Sequence, residues 1–195
     1  MQPTGNTILI TGGGSGIGAA LAHEFHEAGN QVIIAGRRRD ALDAVVAKHP
    51  GMAAVTLDMA DAAAIPAFAQ QLLADFPALN AVLLNAGIMV AEDRIDLDVA
   101  EATIATNLLG PIRLTHALLP HLEAQPAATI LTVSSGLAFV PLVATPTYCA
   151  TKAAIHSWSL SLRAQLQDGN VDVVEIIPPA VQTDLMPVHA EDPRA

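Results

Sequence analysis

The sequence predicts a doubly wound α/β fold, in which helices cover both faces of a parallel β-sheet. Short β-branched runs alternate with longer alanine-rich stretches of helical spacing along the chain. Hydrophobic residues make up 52% of the 195 residues and charged residues only 14%, which favours strands that are buried on both faces. No internal repeat or low-complexity linker divides the chain. We therefore expect residues 1–195 to form a single domain.

The elements follow one another in regular alternation. The predicted strands are Thr7–Thr11, Gln31–Ala35, Met52–Leu57, Ala81–Leu84, Ala128–Val133 and Val171–Ile177. The predicted helices are Gly16–Ala28, Arg39–Lys48, Ala62–Asp75, Leu97–Leu119 and Thr147–Gln167. Because parallel strands are joined by right-handed crossovers, this alternation predicts a Rossmann-like sheet of order 3-2-1-4-5-6 in a three-layer α/β/α arrangement. Ligands of such sheets bind at the carboxyl ends of the strands.

Charge and composition exclude several classes of partner. The net charge is −10, and the only basic cluster is Arg37–Arg39, so we expect no nucleic-acid binding. The longest uncharged stretch, Ala124–Thr151, contains three prolines, so we expect no membrane helix. The single cysteine, Cys149, is typical of a reducing compartment, and we expect a cytoplasmic protein. Seven histidines show no metal signature with a cysteine or an acid, so we expect no metal site.

A glycine-rich turn follows the first strand and opens the first helix. It reads Thr11-Gly12-Gly13-Gly14-Ser15-Gly16-Ile17-Gly18. Glycines let the backbone approach a phosphate closely, and the N-terminus of the helix offers free N–H groups and a positive dipole. A glycine turn without a ligand is the alternative. Its place between strand and helix favours phosphate binding.

The end of the second strand carries arginines where NAD-specific folds often carry an acid. Arg37 and Arg38 follow the strand, and no acid appears before Asp40. Guanidinium groups match the geometry of a 2′-phosphate, so we expect NADP rather than NAD. The alternatives are a solvated start to the next helix, or another cofactor with a phosphate of its own.

Two further strand ends carry polar residues. Asp58 follows the third strand, where its carboxylate either accepts from an adenine amino group or caps the next helix. Asn85-Ala86-Gly87 follows the fourth strand. Such a turn is common for conformational reasons alone, but its position favours a role at the ligand site.

Tyr148 and Lys152 lie four residues apart on one predicted helix, so their side chains share a face. An ammonium close to a phenol stabilises the phenolate, so we expect Lys152 to lower the pKa of Tyr148 and make it an acid or base. A surface pair is the alternative, but Lys152 is one of only two lysines in the chain and lies in an otherwise uncharged stretch.

Serine and asparagine complete the set of candidate catalytic residues. Ser134 and Ser135 follow the fifth strand, where a hydroxyl group either binds a carbonyl oxygen or closes a turn. Asn107 lies inside a predicted helix although asparagine is a poor residue there. It is therefore tolerated on a polar face or binds something in the cleft.

Together these motifs resemble the short-chain dehydrogenase/reductase family over Thr11–Thr183. The stretches around Leu108–Pro111, Val133–Phe139 and Pro178–Thr183 look like its DltE-type oxidoreductase branch. The resemblance implies a catalytic tetrad of Asn107, Ser135, Tyr148 and Lys152, with Ser135 preferred because it lies thirteen residues before the tyrosine. It implies cofactor binding by Gly12, Gly14, Ser15, Gly16, Ile17, Gly18, Arg37, Arg38, Asp58, Met59, Asn85, Ala86, Gly87, Tyr148, Lys152, Val181 and Thr183.

The chain departs from the family pattern in two places. Pro178-Pro179 stands where the family usually has Pro-Gly, and proline fixes φ and lacks an N–H. The chain ends at Ala195, whereas family members usually continue with a helical lid segment and a seventh strand. We therefore expect an exposed sheet edge at the sixth strand and substrate handling that is impaired more than cofactor binding.

The function that we expect is an NADP-dependent oxidoreductase that interconverts a small-molecule carbonyl and alcohol, with Tyr148 as acid and base. The alternative is a regulatory or scaffold protein that binds the nucleotide without turnover. The resemblance also implies a homodimer or homotetramer. The apolar spacing of Leu97, Ile104 and Leu108 and the small residues Ala150 and Ala154 favour pairing through these two helices.

Overall fold

Six strands form one parallel sheet in the structure, a computed structural model that describes residues 2–179, 181 and 185. They are β1 (Thr7–Thr11), β2 (Gln31–Gly36), β3 (Ala53–Thr56), β4 (Leu79–Leu84), β5 (Ala128–Val133) and β6 (Val171–Ile176). Their order across the sheet is β3-β2-β1-β4-β5-β6, and every neighbouring pair is parallel. The predicted fold class and strand order are confirmed, with β6 at one edge of this sheet.

Helices cover both faces of the sheet. They are α1 (Gly16–Glu27), α2 (Arg39–Val46), α3 (Ala64–Asp75), α4 (Leu97–Ile104), α5 (Gly110–Glu123) and α6 (Pro146–Leu166). Side chains of α1 and α2 pack with Ile8, Ile10 and Ile34 on one face. Side chains of α3, α5 and α6 pack with Leu9 and Ile33 on the other. Because successive residues of a strand point to opposite faces, both faces of β1 and β2 are apolar and buried.

The predicted strand ends shift by one or two residues. β4 begins at Leu79 instead of Ala81, because Asn80 does not break the strand: its side-chain oxygen accepts the N–H of Thr7 at 3.0 Å. β3 is one residue shorter at each end. At its start, the N–H of Met52 donates to the His49 carbonyl and completes a turn instead. The sequence pattern shows burial but not these local hydrogen bonds.

The predicted long helix over Leu97–Leu119 is wrong in its centre. A π-helix over Ala105–Leu109 separates α4 from α5, and the N–H of Gly110 bonds to the carbonyl of Ala105 five residues back. Pro111 follows and has no N–H to donate to the Asn107 carbonyl four residues back. The ladder therefore widens at this point, as is common near functional sites.

Most buried apolar residues of α1, α2, α3, α5 and α6 belong to the two packed layers just described. Among the described residues, no helix combines the length and the apolar composition that crossing a lipid bilayer requires.

Candidate active site

A cleft of about 470 Å³ lies at the carboxyl ends of the strands. It brings together most of the residues that the sequence singled out. These are Gly12, Gly14, Ser15, Gly16, Ile17, Arg37, Arg38, Asp58, Met59, Asn85, Ala86, Gly87, Tyr148 and Lys152. The glycine turn, the arginines and the Tyr148 helix therefore share one cleft, as the topology of a doubly wound sheet requires.

The glycine turn is held against the end of β2. Gly12 and Gly16 adopt positive φ angles of 69° and 55°, which side chains with a Cβ rarely adopt. The N–H groups of Gly12 and Gly13 donate to the Ala35 carbonyl at 2.7 and 3.2 Å. Ser15 occupies the N-cap of α1, and its side chain does not cap the helix. The first turn of α1 therefore keeps N–H groups for an anion in the cleft.

A hydroxyl group ties the ends of β1 and β4 together beneath this turn. Thr11 Oγ1 donates to the Leu83 carbonyl at 3.2 Å and accepts the N–H groups of Asn85 and Ala86 at 3.0 and 3.1 Å. Asn85 Nδ2 donates to the Thr11 carbonyl at 3.0 Å. Thr11 also lines the cleft. Thr11 is not among the predicted site residues, although a polar residue that ends a buried strand is a signal in the sequence.

Gly18 does not line the cleft. A Cβ at this position would overlap the Gly12 carbonyl and the Asn85 side chain. Its role in this structure is to let α1 pack closely against the glycine turn.

Two of the three consecutive arginines line the cleft. Arg37 and Arg38 follow β2 at the rim, and Arg38 Nη2 donates to Ser15 Oγ at 3.4 Å. Arg39 instead pairs with Asp43 on α2, with 2.8 Å between Nε and Oδ1. The rim of the cleft beside β2 therefore carries two guanidinium groups.

The carboxylate after β3 closes a turn and also lines the cleft. Asp58 Oδ1 accepts the N–H of Ala60 at 2.9 Å. The capping role that was the alternative for Asp58 belongs to Asp61, whose Oδ1 accepts the N–H groups of Ala63 and Ala64 at 3.0 Å. Asp58 therefore lies at the cleft and does not cap α3.

Asn107 lies in the π-helix and is buried behind the cleft wall. Its Oδ1 accepts the N–H of Ile88 at 2.8 Å, and its Nδ2 donates to the Ile88 carbonyl at 2.8 Å. Nδ2 also contacts Thr151 Oγ1 on α6 at 3.3 Å. Asn107 thus joins the segment after β4 to α6, and Ile88, rather than Asn107, lines the cleft.

The two serines after β5 have different surroundings. Ser135 Oγ accepts the N–H of Leu137, at 3.1 Å, where a short 3₁₀ helix begins, and Ser135 also hydrogen-bonds to Tyr148. Ser134 is buried and lines the cleft, and its Oγ has no hydrogen-bond partner among the described residues. The structure places Ser135 beside Tyr148 and Ser134 toward the cleft.

Lys152 is almost fully buried beside Tyr148. Its Nζ lies 5.6 Å from the centroid of the Tyr148 ring and donates to the Val133 carbonyl at the end of β5 at 2.8 Å. Burial disfavours the ammonium form and lowers the pKa of Lys152 to about 8. The i, i+4 spacing thus brings both side chains to the cleft, as expected.

The expected direction of the Tyr148 pKa is wrong in this structure. Burial raises the pKa of the phenol above its ordinary value, and the hydrogen bond with Ser135 offsets only part of that effect. The i, i+4 spacing indicates the nearby charge but not the loss of water around the ring. Tyr148 is therefore held as the neutral phenol at neutral pH.

A buried carboxylate organises the start of α6. Glu92 Oε1 accepts the N–H of Thr147 at 3.0 Å, and Glu92 Oε2 accepts the Thr147 hydroxyl at 2.9 Å. The N–H of Glu92 donates to the Ala144 carbonyl at 2.8 Å. Glu92 thus caps the helix from another segment, directly before Tyr148. Glu92 is not among the predicted site residues, because a charged residue in a loop gives no sign of burial in the sequence.

The residues after β6 are described only in part. The Pro178 carbonyl accepts the N–H of Gly136 at 3.4 Å, and Pro178 lines the cleft. Val181 is 42% exposed and does not line the cleft. Thr183 lies outside the described residues.

A cluster outside the cleft also went unrecognised in the sequence. His23 and Glu27 on α1 lie beside His49, with potential ligand atoms within 4.8 Å of one another. His23 and Glu27 are four residues apart on one helix, so they share a face, but this spacing alone does not indicate a metal site. The position of His49 depends on tertiary structure.

The family model for short chain dehydrogenases matches residues 6–194. The chain belongs to this family. Within it, the chain is DltE-like: it is 44% identical over 189 residues to the uncharacterized oxidoreductase DltE of Bacillus subtilis strain 168, over 95% of this chain and 75% of that protein. The resemblance that the motifs carried is therefore confirmed.

Solved structures share the fold and bind either nicotinamide dinucleotide. The closed form of serine dehydrogenase complexed with NADP⁺ has a TM-score of 0.85 at 28% identity, over 91% of this chain and 73% of that chain. A family member from Burkholderia phymatum in complex with NAD has a TM-score of 0.88 at 24% identity, over 95% and 69%. This chain spans only 58–61% of the length of relatives named dehydrogenase/reductase SDR family 7-like and 7B.

Proposed function

We propose that the protein is an NADP(H)-dependent oxidoreductase that interconverts a small-molecule carbonyl and alcohol, with Tyr148 as the acid and base. One observation carries the proposal. The cleft that holds the glycine turn also holds Tyr148, and Ser135 and Lys152 lie beside the tyrosine. A nucleotide site and an acid/base group thus share one space, as hydride transfer to a carbonyl requires.

The residues of the cleft fit a dinucleotide. The uncapped first turn of α1 suits a pyrophosphate. Ser134 lines the cleft, and its buried hydroxyl has no partner among the described residues. Arg37 and Arg38 suit a 2′-phosphate. Asp40 lies on the exposed surface of α2 and is not among the described residues that line the cleft. These features favour NADP over NAD.

Each residue beside the tyrosine has a separate task. When bound, the nicotinamide supplies or accepts the hydride at the substrate carbon. Tyr148 donates its phenolic proton to the substrate oxygen in reduction and takes it back in oxidation. Ser135 holds that oxygen next to the phenol. Lys152 holds positive charge close to the ring as the phenolate forms. Asn107 fixes the segment at Ile88 that forms the cleft wall.

The surroundings that we propose are those of an acidic cytoplasmic enzyme. The net charge of −10 opposes binding to nucleic acid. Exposed apolar residues on α4 and α6, among them Leu97, Ile104 and Leu160, favour self-association into a homodimer or homotetramer. The substrate is a small molecule whose identity the cleft does not specify.

The experiment is a comparison of Tyr148→Phe with the unchanged protein in a screen of ketones, aldehydes and alcohols with NADP(H). We expect the variant to lose at least about 100-fold in kcat, as removal of a general acid does, while NADP(H) still binds. Ser161→Ala, which removes an exposed hydroxyl from the same helix, is the matched control. Undiminished turnover by Tyr148→Phe would remove the assigned acid and base. NADP(H) binding without turnover of any compound would favour a nucleotide-binding regulator.

A further inference from the structure

Two histidines and a glutamate meet at the end of α1 that points away from the cleft. His23 and Glu27 share one face of the helix, and His49 approaches from the turn between α2 and β3. Each side chain offers one potential ligand atom, an imidazole nitrogen or a carboxylate oxygen, and these three atoms lie within 4.8 Å of one another. The fold thus brings three metal-ligating groups together from two separate segments.

Backbone hydrogen bonds fix the position of the third group. The N–H of His49 donates to the Val46 carbonyl at 2.9 Å, and the His49 carbonyl accepts the N–H of Met52 at 3.0 Å. Gly51, with a φ of 95°, lets the chain reverse into β3. The ring centroids of His23 and His49 are 4.9 Å apart. The approach of His49 to α1 is therefore part of the turn itself.

The three side chains have no competing polar partner in the described part of the chain. His23 and His49 contact other imidazole rings, but none of the three forms a hydrogen bond or ion pair there. His23 and Glu27 are exposed and His49 is half-buried. A cation can therefore reach them without breaking an existing interaction, and the net charge of −10 attracts cations to the molecule.

We propose that His23, Glu27 and His49 form a site for a borderline divalent cation, with Zn²⁺ as the best match. Two imidazoles and one carboxylate suit Zn²⁺, which takes three protein ligands and a water in open tetrahedral sites. Mg²⁺ and Ca²⁺ prefer sites made of oxygen ligands. Ligand atoms in a tetrahedral zinc site are about 3.3 Å apart, so rotations of these exposed side chains complete the geometry.

A bound cation would join the C-terminal half of α1 to the turn that precedes β3. Because these segments separate on unfolding, the metal would bind the folded chain preferentially and raise its melting temperature. The site lies at the far end of α1 from the glycine turn, so NADP(H) binding is expected to be unaffected. The proposal is therefore independent of the proposed function.

The test is a calorimetric titration of tag-free protein with ZnCl₂ alone, together with melting curves and Co²⁺ absorption spectra. We expect one saturable Zn²⁺ site with a raised Tm, and visible Co²⁺ bands typical of tetrahedral coordination. His23→Ala, His49→Ala and Glu27→Gln should each weaken Zn²⁺ binding by at least roughly tenfold, since each removes one ligand. His116→Ala, which removes an exposed histidine from α5, should change nothing.

Either of two results would overturn the proposal. One is that the unchanged protein has no saturable Zn²⁺ site. The other is that both histidine variants keep the affinity of the unchanged protein, which would assign the metal to other groups such as Cys149 or His189. Far-UV circular dichroism of each variant checks the fold, and Glu27→Gln alters an exposed side chain with little risk to it.

Discussion

At the scale of single residues, the candidate site holds a cation where burial disfavours charge. Lys152 donates to the Val133 carbonyl and is otherwise enclosed by protein, so its pKa falls to about 8. In the unfolded chain the lysine keeps an ordinary pKa of about 10.4. The buried ammonium therefore lowers the free energy of unfolding. This loss is complete below about pH 8, where Lys152 is protonated in both states, and it fades as pH rises toward about 10.4.

Lys152→Met should therefore stabilise the protein while abolishing activity. Methionine keeps the length of the side chain and removes the charge, and the pKa difference corresponds to about 3 kcal/mol at pH 7, less the lost hydrogen bond. The gain should shrink as pH rises from 8 toward 10.5, because the folded lysine becomes neutral first. Urea unfolding of Lys152→Met and of the unchanged protein at pH 7 and pH 10 measures this gain in the free energy of unfolding. Lys48→Met, at the exposed second lysine, is the control, and an equal gain at both pH values would contradict the argument.

The two arginines at the rim should decide between the dinucleotides. Arg37→Ala/Arg38→Ala should weaken NADP binding by about 10- to 100-fold, the size of a lost charge-assisted contact, and leave NAD binding nearly unchanged. Arg39→Ala is the matched control, because Arg39 pairs with Asp43. Fluorescence titrations with both dinucleotides provide the measurement. Equal affinities of the unchanged protein for NADP and NAD would end the argument.

The residue types of the site could be predicted from the sequence, but not all of their surroundings. Helical spacing predicted the pairing of Tyr148 with Lys152, and the position of the glycine turn after a strand predicted its place at the cleft. The burial that raises the pKa of Tyr148 comes from packing against other segments, which spacing does not contain. Glu92 and His49 acquire their partners only through tertiary structure.

At the scale of elements, the segment between β4 and β5 contains a helix that widens where Asn107 and Pro111 lie. Asn107 satisfies both backbone groups of Ile88, and this demands that its side chain point into the protein from the π-helix. Asparagine and Pro111 together were visible in the sequence as poor helix residues. The pattern predicted a single helix, because the apolar spacing continues through the π-turn.

Glu92→Gln should loosen the start of α6 and lower kcat without weakening NADP(H) binding. An amide in place of the carboxylate presents an NH₂ group to either the N–H or the hydroxyl of Thr147, so one hydrogen bond at the cap is lost. Loss of a cap costs about 1 kcal/mol. Urea unfolding and steady-state kinetics test both effects, with Asp93→Asn at the exposed neighbour as control. A variant with unchanged stability and kcat would show that this cap does not position Tyr148.

At the scale of the whole molecule, α4 and α6 carry exposed apolar side chains. Ile104 on α4 and Leu160 on α6 are 38% and 47% exposed, and α4 packs against α6. The strand order and both layers were predictable, because they follow from alternation and handedness. Whether the outer faces of α4 and α6 bind another molecule depends on the surface of that molecule. Such an interface could not be predicted in the same way.

The protein should be a dimer or tetramer at micromolar concentration, and Ile104→Glu/Leu160→Glu should convert it to a monomer. Burying two carboxylates in an apolar interface is costly. Light scattering measures the mass of both proteins. Val143→Glu is the control, since Val143 lies in a loop and is 92% exposed. A monomeric unchanged protein at this concentration would reject self-association.

The pairing of β1 with β4 governs when the cleft exists during folding. The hydrogen bond between Thr11 and Asn85 joins residues 74 positions apart, so the intervening chain loses the entropy of a long closed loop when it forms. Contacts of such high sequence separation slow folding. A chain in which only β1, β2 and β3 have assembled lacks the contacts between Thr11 and the segment after β4 that lie beneath the glycine turn. A ligand of the cleft therefore binds only the folded chain. It stabilises the protein chiefly by lowering the unfolding rate, and it does little to raise the folding rate.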